Sequence, residues 1–172
     1  MSHTKKAGER HSDIAELYDK IRPIKFAMMT TVDTNGELHS RPMTSQAPED
    51  LKTDGYLWFF TYASASKVGQ VGLHQQVNLA YAKPNEHLFV SVGGTATLIR
   101  DPQRIRELWR PFYQTWFPNG PDDPDLALLR VHIENAEYWD SSAGKMGLLY
   151  SITRGLTSKG KEAPGVDVKL HV

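Results

Sequence analysis

Arg41 sits in the run KFAMMTTVDTNGELHSRPMT, and Lys67 closes the run YLWFFTYASASK just after Thr61, Ser64 and Ser66. A phosphate group takes a planar guanidinium, an ammonium and hydroxyl or backbone N–H donors converging from different directions, and these residues supply each of them. Lys67 also opens a predicted helix, whose free N–H groups favour an anion. The competing reading is that both cations are solvated surface charges, the ordinary fate of Lys and Arg. The chemistry is a phosphate site if the fold brings the two together.

The elements that must do so can be read from periodicity. Ser12 can cap a helix carrying Ile14, Leu17, Tyr18 and Ile21 on one face, and Pro23 stops it. FAMMTTV is strand-like, and Asp33-Thr34-Asn35-Gly36 is a turn in which Asn or Gly can take positive φ. The return strand places Arg41 and Met43 on one face, while Pro42 between them predicts an open edge or a bulge. APEDLKTDG reads as a turn-rich loop, YLWFFTY as an aromatic strand pairing back on the hairpin, and KVGQVGLHQ as a helix.

Strands follow at VNLAYAK and LFVSVGGTATLIR, with Gly93-Gly94 marking a bulge or bend in a curled sheet. Asp101-Pro102 begins a helix with an apolar face of Ile105, Leu108, Trp109 and Phe112. PNGPDDPD is a loop. LALLRVHIEN and AEYWD form the last strand or pair of strands, because Leu129, Val131 and Ile133 alternate with polar residues. KMGLLYSITRGL predicts a final helix, and VDVKLHV at most an added edge strand. Short, frequent strands with flanking helices predict a mainly β, antiparallel, Greek-key-like barrel of the α+β class.

At 172 residues the chain fits one domain of ordinary size. We expect a flexible N-terminus over 1–10, a single domain over 11–155 and a C-terminal extension over 156–172. Twenty basic and twenty acidic residues balance, so no long-range field draws the protein to nucleic acid or an anionic membrane. No cysteine is present, which removes disulfides and thiolate chemistry and fits a reducing cytoplasm. No apolar run approaches the roughly 18 residues of a membrane span.

Other chemistries are not supported by the motifs. The histidines are dispersed and lack metal-ligand spacing, so no metal is expected. SSAGKMG fails as a Walker loop, because Trp139 occupies the first glycine position and Met146 follows the lysine. No nucleophile elbow exists, because Phe89 stands where its first glycine would precede Ser91. Trp58, Phe59 and Phe60 are consecutive, so one face of their strand meets the core and the other a ligand, a partner chain or solvent.

With these residues in hand the chain resembles the flavin-binding split-barrel proteins related to pyridoxamine 5′-phosphate oxidase, and most closely the branch called general stress protein 26. The resemblance spans roughly residues 10 to 155 and rests on the order and spacing of FAMMTTVDTNGELHSRPM, LWFFTYASASKVGQV, VNLAYAKPNEHLFVSVGGTATLIRD and AEYWD. It implies a split β-barrel homodimer with FMN, or FAD, in a cleft between subunits. Arg41 would then meet the flavin ring edge or phosphate, with Pro42 and Met43 beside the ring. Phe60 and Thr61 match an aromatic and hydroxyl pair at the end of a flavin-binding strand. Lys67 matches the lysine that holds the phosphate, and Trp139 a tryptophan that reaches the flavin of the other subunit.

The resemblance also marks departures from the oxidase itself. Its Ser-Arg-Lys reads Ala65-Ser66-Lys67 here, its lysine five residues after the arginine is Gln46, and its C-terminal arginine-and-histidine pattern is absent after Trp139. These argue against pyridoxamine phosphate oxidation. The implied function is an FMN-dependent oxidoreductase of general-stress type, passing hydride from NAD(P)H or another small-molecule donor through flavin N5. The alternatives are a non-enzymatic flavin-sequestering protein, or a relative using deazaflavin or haem. No catalytic side chain is identified.

Overall fold

The computed structural model describes residues 7–46, 51–140 and 166–171. Helix α1 (Ala7–Ile21) leads into β1 (Phe26–Val32) and β2 (Leu38–Gln46), followed by a single helical turn, α2 (Leu51–Asp54). Then come β3 (Tyr56–Tyr62), α3 (Ser66–Leu73), β4 (Gln76–Lys83), β5 (Leu88–Ile99), α4 (Pro102–Leu108), β6 (Leu126–Asp140) and β7 (Val166–His171). The strands run β3-β2-β1-β4-β5-β6 in space, all antiparallel, and β3 pairs back on β6 to close a six-stranded barrel. The mainly β barrel with flanking helices is therefore the architecture of this chain.

The hairpin forms as its turn sequence predicts. Gly36 alone in that turn takes positive φ, at 83°, and Asp33 accepts backbone N–H bonds from Asn35 and Glu37. Along β1 the inward residues Ala27, Met29 and Thr31 are buried, and across β4 and β6 the same alternation buries Leu79, Tyr81, Leu129, Val131 and Ile133. Truncating one such side chain, for example Leu79→Ala, costs about 2–5 kcal/mol.

Gly93 and Gly94 do mark a bulge. The β5–β6 register jumps there, with Gly93 opposite Asn135 and Gly94 opposite Ile133, so the extra residue is Glu134 on β6. A Cβ on Gly94 would lie 2.2 Å from the His132 carbonyl oxygen, which only a glycine avoids. The shift keeps the alternation inward on both sides of the bulge, burying Ile133 before it and Ala136 and Tyr138 after it.

Two expectations change. Helix α1 starts at Ala7, ahead of Ser12, where the good helix formers Ala7, Glu9 and Arg10 offset Gly8. Its buried face is the predicted one, with Leu17, Tyr18 and Ile21 in the core. Helix α4, capped by Asp101 through bonds to the N–H groups of Gln103 and Arg104, ends at Leu108. Pro111 disfavours helical backbone at Arg110, so Phe112 falls in a separate 3₁₀ turn, Pro111–Thr115, and is exposed. The LALLRVHIEN and AEYWD runs are one strand, β6, on whose second half β7 lies as the added edge strand. The predicted helix over KMGLLYSITRGL lies outside the described residues.

Strand β3 is buried on both faces. Leu57 and Phe59 enter the barrel core, whereas Trp58 and Phe60 enter a second cluster with Ile105, Leu108, Leu126 and Leu128. The outer face of the aromatic strand thus meets the chain's own segment after β5. That segment forms one wall of the candidate site.

Candidate functional site

The site begins where β2 and β3 part. Their ladder holds at Ser45 opposite Phe59 and Gln46 opposite Trp58. Continued, it would set Thr44 opposite Phe60 and Met43 opposite Thr61, but it stops, and β2 stays bonded to β1 alone through Pro42 and Arg41. A proline lacks the N–H for a second ladder and suits such an open edge. A cleft of about 190 Å³ opens between the strands, lined among others by Pro42, Met43, Gln46, Phe60 and Lys67.

Arg41 lies opposite buried Met29, and Met43 opposite buried Ala27, so both share one face, as their alternation predicts, and that face is the barrel interior. The half-buried guanidinium is fixed on two sides. One of its terminal nitrogens donates to Thr31 Oγ1 at 2.9 Å and the other to Gln70 Oε1 at 3.0 Å, while Thr31 also donates to Gln70 at 2.6 Å. Strands β1 and β2 and helix α3 are thereby stitched through one arginine.

Lys67 stands one helical turn before Gln70 on α3. Burial first, and the charge of Arg41 second, hold its ammonium below the usual lysine range, and burial likewise lowers Arg41. Among the described residues no carboxylate pairs with either cation. Two partly desolvated like charges without a counter-charge form a site that an anion stabilises. Helix α3 adds to it: Ala65 at its N-cap offers no side-chain bond and its first turn holds no acid. The preceding loop is pinned by Asp125, which accepts from the Ser64 N–H at 3.1 Å and from its hydroxyl at 2.5 Å.

The opposite wall is aromatic. The Phe60 ring lies 5.2 Å from Tyr113, 5.7 Å from Trp109 and 5.9 Å from Phe117, measured between centroids. Trp116 stands at the rim, half exposed. Tyr113, Trp116, Phe117 and Gln70 were not singled out by the sequence. Gln70 has a legible signal, three residues after Lys67 on a predicted helix, whereas the aromatic spacing of 109–117 reads as a continuous helix until the prolines are weighed.

Pro42, Met43, Phe60 and Lys67 line this cleft, whereas Arg41 does not line it and is near enough to act on the charge of Lys67. Thr61 is buried with its hydroxyl donating to the Tyr62 carbonyl at 3.1 Å, and Ser66 is exposed at the start of α3; neither lines the cleft. Trp139 is on the outer face of β6, paired with Phe89 of β5. Extending the β1–β4 register sets Phe26 beside Ala82, so Phe26, Ala82, Phe89 and Trp139 form one outward row across four strands. The aromatic members are 36–47% exposed, and Phe26 lines the cleft as well, so the apolar row and the cleft are continuous.

Asp33, Glu37 and His39 also approach one another at the hairpin tip, with His39 Nε2 2.9 Å from Asp33. These contacts and the turn bonds hold the Asp33 carboxyl below its usual range, with His39 the largest cause. They describe a pinned hairpin. Among the described residues no helix is long and apolar enough to cross a membrane.

Comparison with known proteins places this geometry. The profile of the family described as "Pyridoxamine 5′-phosphate oxidase like" matches residues 12–162. Protein bli-3 of Neurospora crassa is 30% identical over 148 residues, covering 81% of this chain and 69% of that protein. The general stress FMN/FAD binding protein of Xanthomonas citri is similar in structure, with a TM-score of 0.61 at 27% identity over 78% of this chain and 90% of that one. A Clostridium acetobutylicum protein related to general stress protein 26 shares the fold, with a TM-score of 0.66 at 19% identity over 94% and 96% of the two chains. By the match along most of its length, this chain belongs to the pyridoxamine 5′-phosphate oxidase-like family.

Proposed function

We propose that the protein binds FMN, with the phosphate between Arg41 and Lys67 at the start of α3, and acts as a flavin-dependent oxidoreductase. The observation that carries this reading is the pair of partly desolvated cations that no carboxylate neutralises among the described residues. Pro42 and Met43 would flank the ring, with Phe60 behind them. The FMN/FAD binding of the Xanthomonas citri relative supports the cofactor class. Bound flavin supplies hydride transfer at N5. This chain's residues hold its phosphate, orient it and exclude water along the aromatic wall.

The open apolar row of Phe26, Ala82, Phe89 and Trp139, with exposed Met28 beside Phe26 on β1, favours a homodimer in which a second copy covers it and completes the cleft, the two-fold arrangement being the commonest for homo-oligomers. Trp139, which does not line its own cleft, would then serve the other subunit.

A second reading is a flavin-sequestering protein without turnover. It is favoured by one observation: no histidine and no carboxylate lines the cleft among the described residues. Anaerobic addition of NADH or NADPH to the FMN-loaded protein separates the two. Bleaching of the oxidised flavin band supports the oxidoreductase, and a band that persists with both donors supports the carrier.

A further inference from the structure

A second cavity, of about 280 Å³, borders the flavin cleft only through Thr44 and Tyr113 among the described residues. None of Pro42, Met43, Phe60 and Lys67 lines it. It forms where Pro23 ends α1 and the chain turns into β1, so that Ile21, Arg22, Ile24 and Lys25 meet Ser45 near the end of β2 and Phe112 of the 3₁₀ turn.

Its charge is one-sided. Arg22 and Lys25 border it and no carboxylate does, and among the described residues neither cation is in an ion pair. The end of α1, whose free carbonyls would repel an anion, is partly closed: the Tyr18 carbonyl accepts from the Arg22 N–H at 2.9 Å and the Ile21 carbonyl from the Ile24 N–H at 2.9 Å. Ser45 adds a donor. Its Oγ lies 2.9 Å from the hydroxyl of Tyr81, a fully buried phenol that burial keeps protonated. Tyr81 has no other hydrogen-bond partner among the described residues, so its proton is spent on Ser45, and the Ser45 proton is left to serve the cavity. The remaining wall is apolar, with buried Ile21, half-buried Ile24 and the Phe112 ring, which is 54% exposed.

We infer that this cavity binds a small monocarboxylate with a short apolar chain, the carboxylate held by Arg22, Lys25 and the Ser45 hydroxyl and the chain lying on Ile21, Ile24 and Phe112. An inorganic anion leaves the apolar wall wet, and a neutral alcohol leaves the two cations unanswered. At about 280 Å³, against about 150 Å³ for a dry cavity that takes benzene, it has room for a chain of about six to eight carbons. The site does not depend on the flavin.

The probes are hexanoate, 1-hexanol and acetate, titrated calorimetrically into the purified protein at low salt. Hexanoate is expected to bind about five- to tenfold more tightly than hexanol, the effect of two solvent-facing charge contacts. It should also bind about tenfold or more tightly than acetate, which lacks the chain. Arg22 and Lys25 are exposed, so replacing both in Arg22→Gln with Lys25→Gln leaves the core intact and should bring hexanoate and hexanol within about twofold. Lys67→Met, which alters the flavin cleft, should leave hexanoate affinity within about twofold of the wild type, because Lys67 does not line this cavity. A wild-type protein that binds no hexanoate, or binds it no better than hexanol or acetate, overturns the inference, as does a preference that survives the double variant. Hexanoate binding that is lost in Lys67→Met would put the anion in the flavin cleft and overturn it as well.

Discussion

Lys67→Met is the perturbation whose two effects have opposite signs. In the protein without ligand, Lys67 is held below its normal titration range by burial and by Arg41, so its charge opposes folding. The side chain is only partly buried and solvent screens it, so removing the charge while keeping the methylene stem should stabilise the free protein by about 0.5 kcal/mol. At about 2–4 °C per kcal/mol for a chain of this size, the melt rises by about 1–2 °C. With FMN the charge becomes an asset, and losing a charge-assisted hydrogen bond costs about 1.5–3 kcal/mol, or about 10- to 150-fold in Kd. At FMN equal to about 100 times the wild-type Kd, ligand binding adds about 2.7 kcal/mol to the wild type but about 0.9 kcal/mol to a variant bound about 30-fold more weakly. The variant should then melt about 3–5 °C below the wild type with FMN and above it without. Parallel melts with and without FMN read the crossing. A variant that melts lower in both conditions by the same amount, with unchanged Kd, would refute the reasoning.

Three further outcomes follow from the geometry. Gly94→Ala forces a methyl to within 2.2 Å of the His132 carbonyl at the bulge and should cost about 2–4 kcal/mol, measured by urea unfolding; a neutral result would contradict the bulge. Asp125→Ala releases the Ser64 loop that precedes Lys67 and should weaken FMN by about 3- to 10-fold while leaving the far-UV spectrum unchanged; equal affinity would show that the loop holds its shape without it. Tyr138 donates to Glu16, and burial together with that carboxylate pushes its hydroxyl up to about 12. The folded state therefore keeps a proton that the unfolded state loses near its usual value of about 10. The stabilisation is complete below about pH 10 and is lost as pH rises toward about 12. Tyr138→Phe should flatten that part of the alkaline stability curve, read by denaturant midpoints against pH, and a curve of unchanged slope would count against the shift.

Features set by local chemistry were legible in the sequence. Asp33 to Gly36 specifies a tight turn because glycine alone there takes positive φ cheaply, and paired glycines at 93 and 94 specify a bulge because no side chain fits beside the opposing carbonyl. Alternation placed Arg41 and Met43 on one face. What could not be read depends on contacts between distant segments. The Arg41 guanidinium is held by Thr31 and Gln70, whose meeting needs the hairpin and α3 to pack first. The aromatic wall arises because Pro111 breaks a helical pattern that Phe112 seemed to continue, which turns Tyr113 and Phe117 onto Phe60. Thr61 and Ser66 sit at the expected positions along the chain, yet their side chains do not line the cleft. Adjacency in sequence fixes a residue's element but not the direction of its last bond.

The central claim is that Arg41 and Lys67 hold a phosphate, and comparing FMN with riboflavin tests it most directly, because the two ligands share the ring and differ in the phosphate. Titrating the protein with each and following flavin fluorescence should show FMN bound about 100-fold or more tightly, two charge-assisted contacts each contributing about 1.5–3 kcal/mol before mutual losses. The gap should collapse in Arg41→Ala and Lys67→Ala. Equal affinity for FMN and riboflavin in the wild-type protein would contradict the phosphate site.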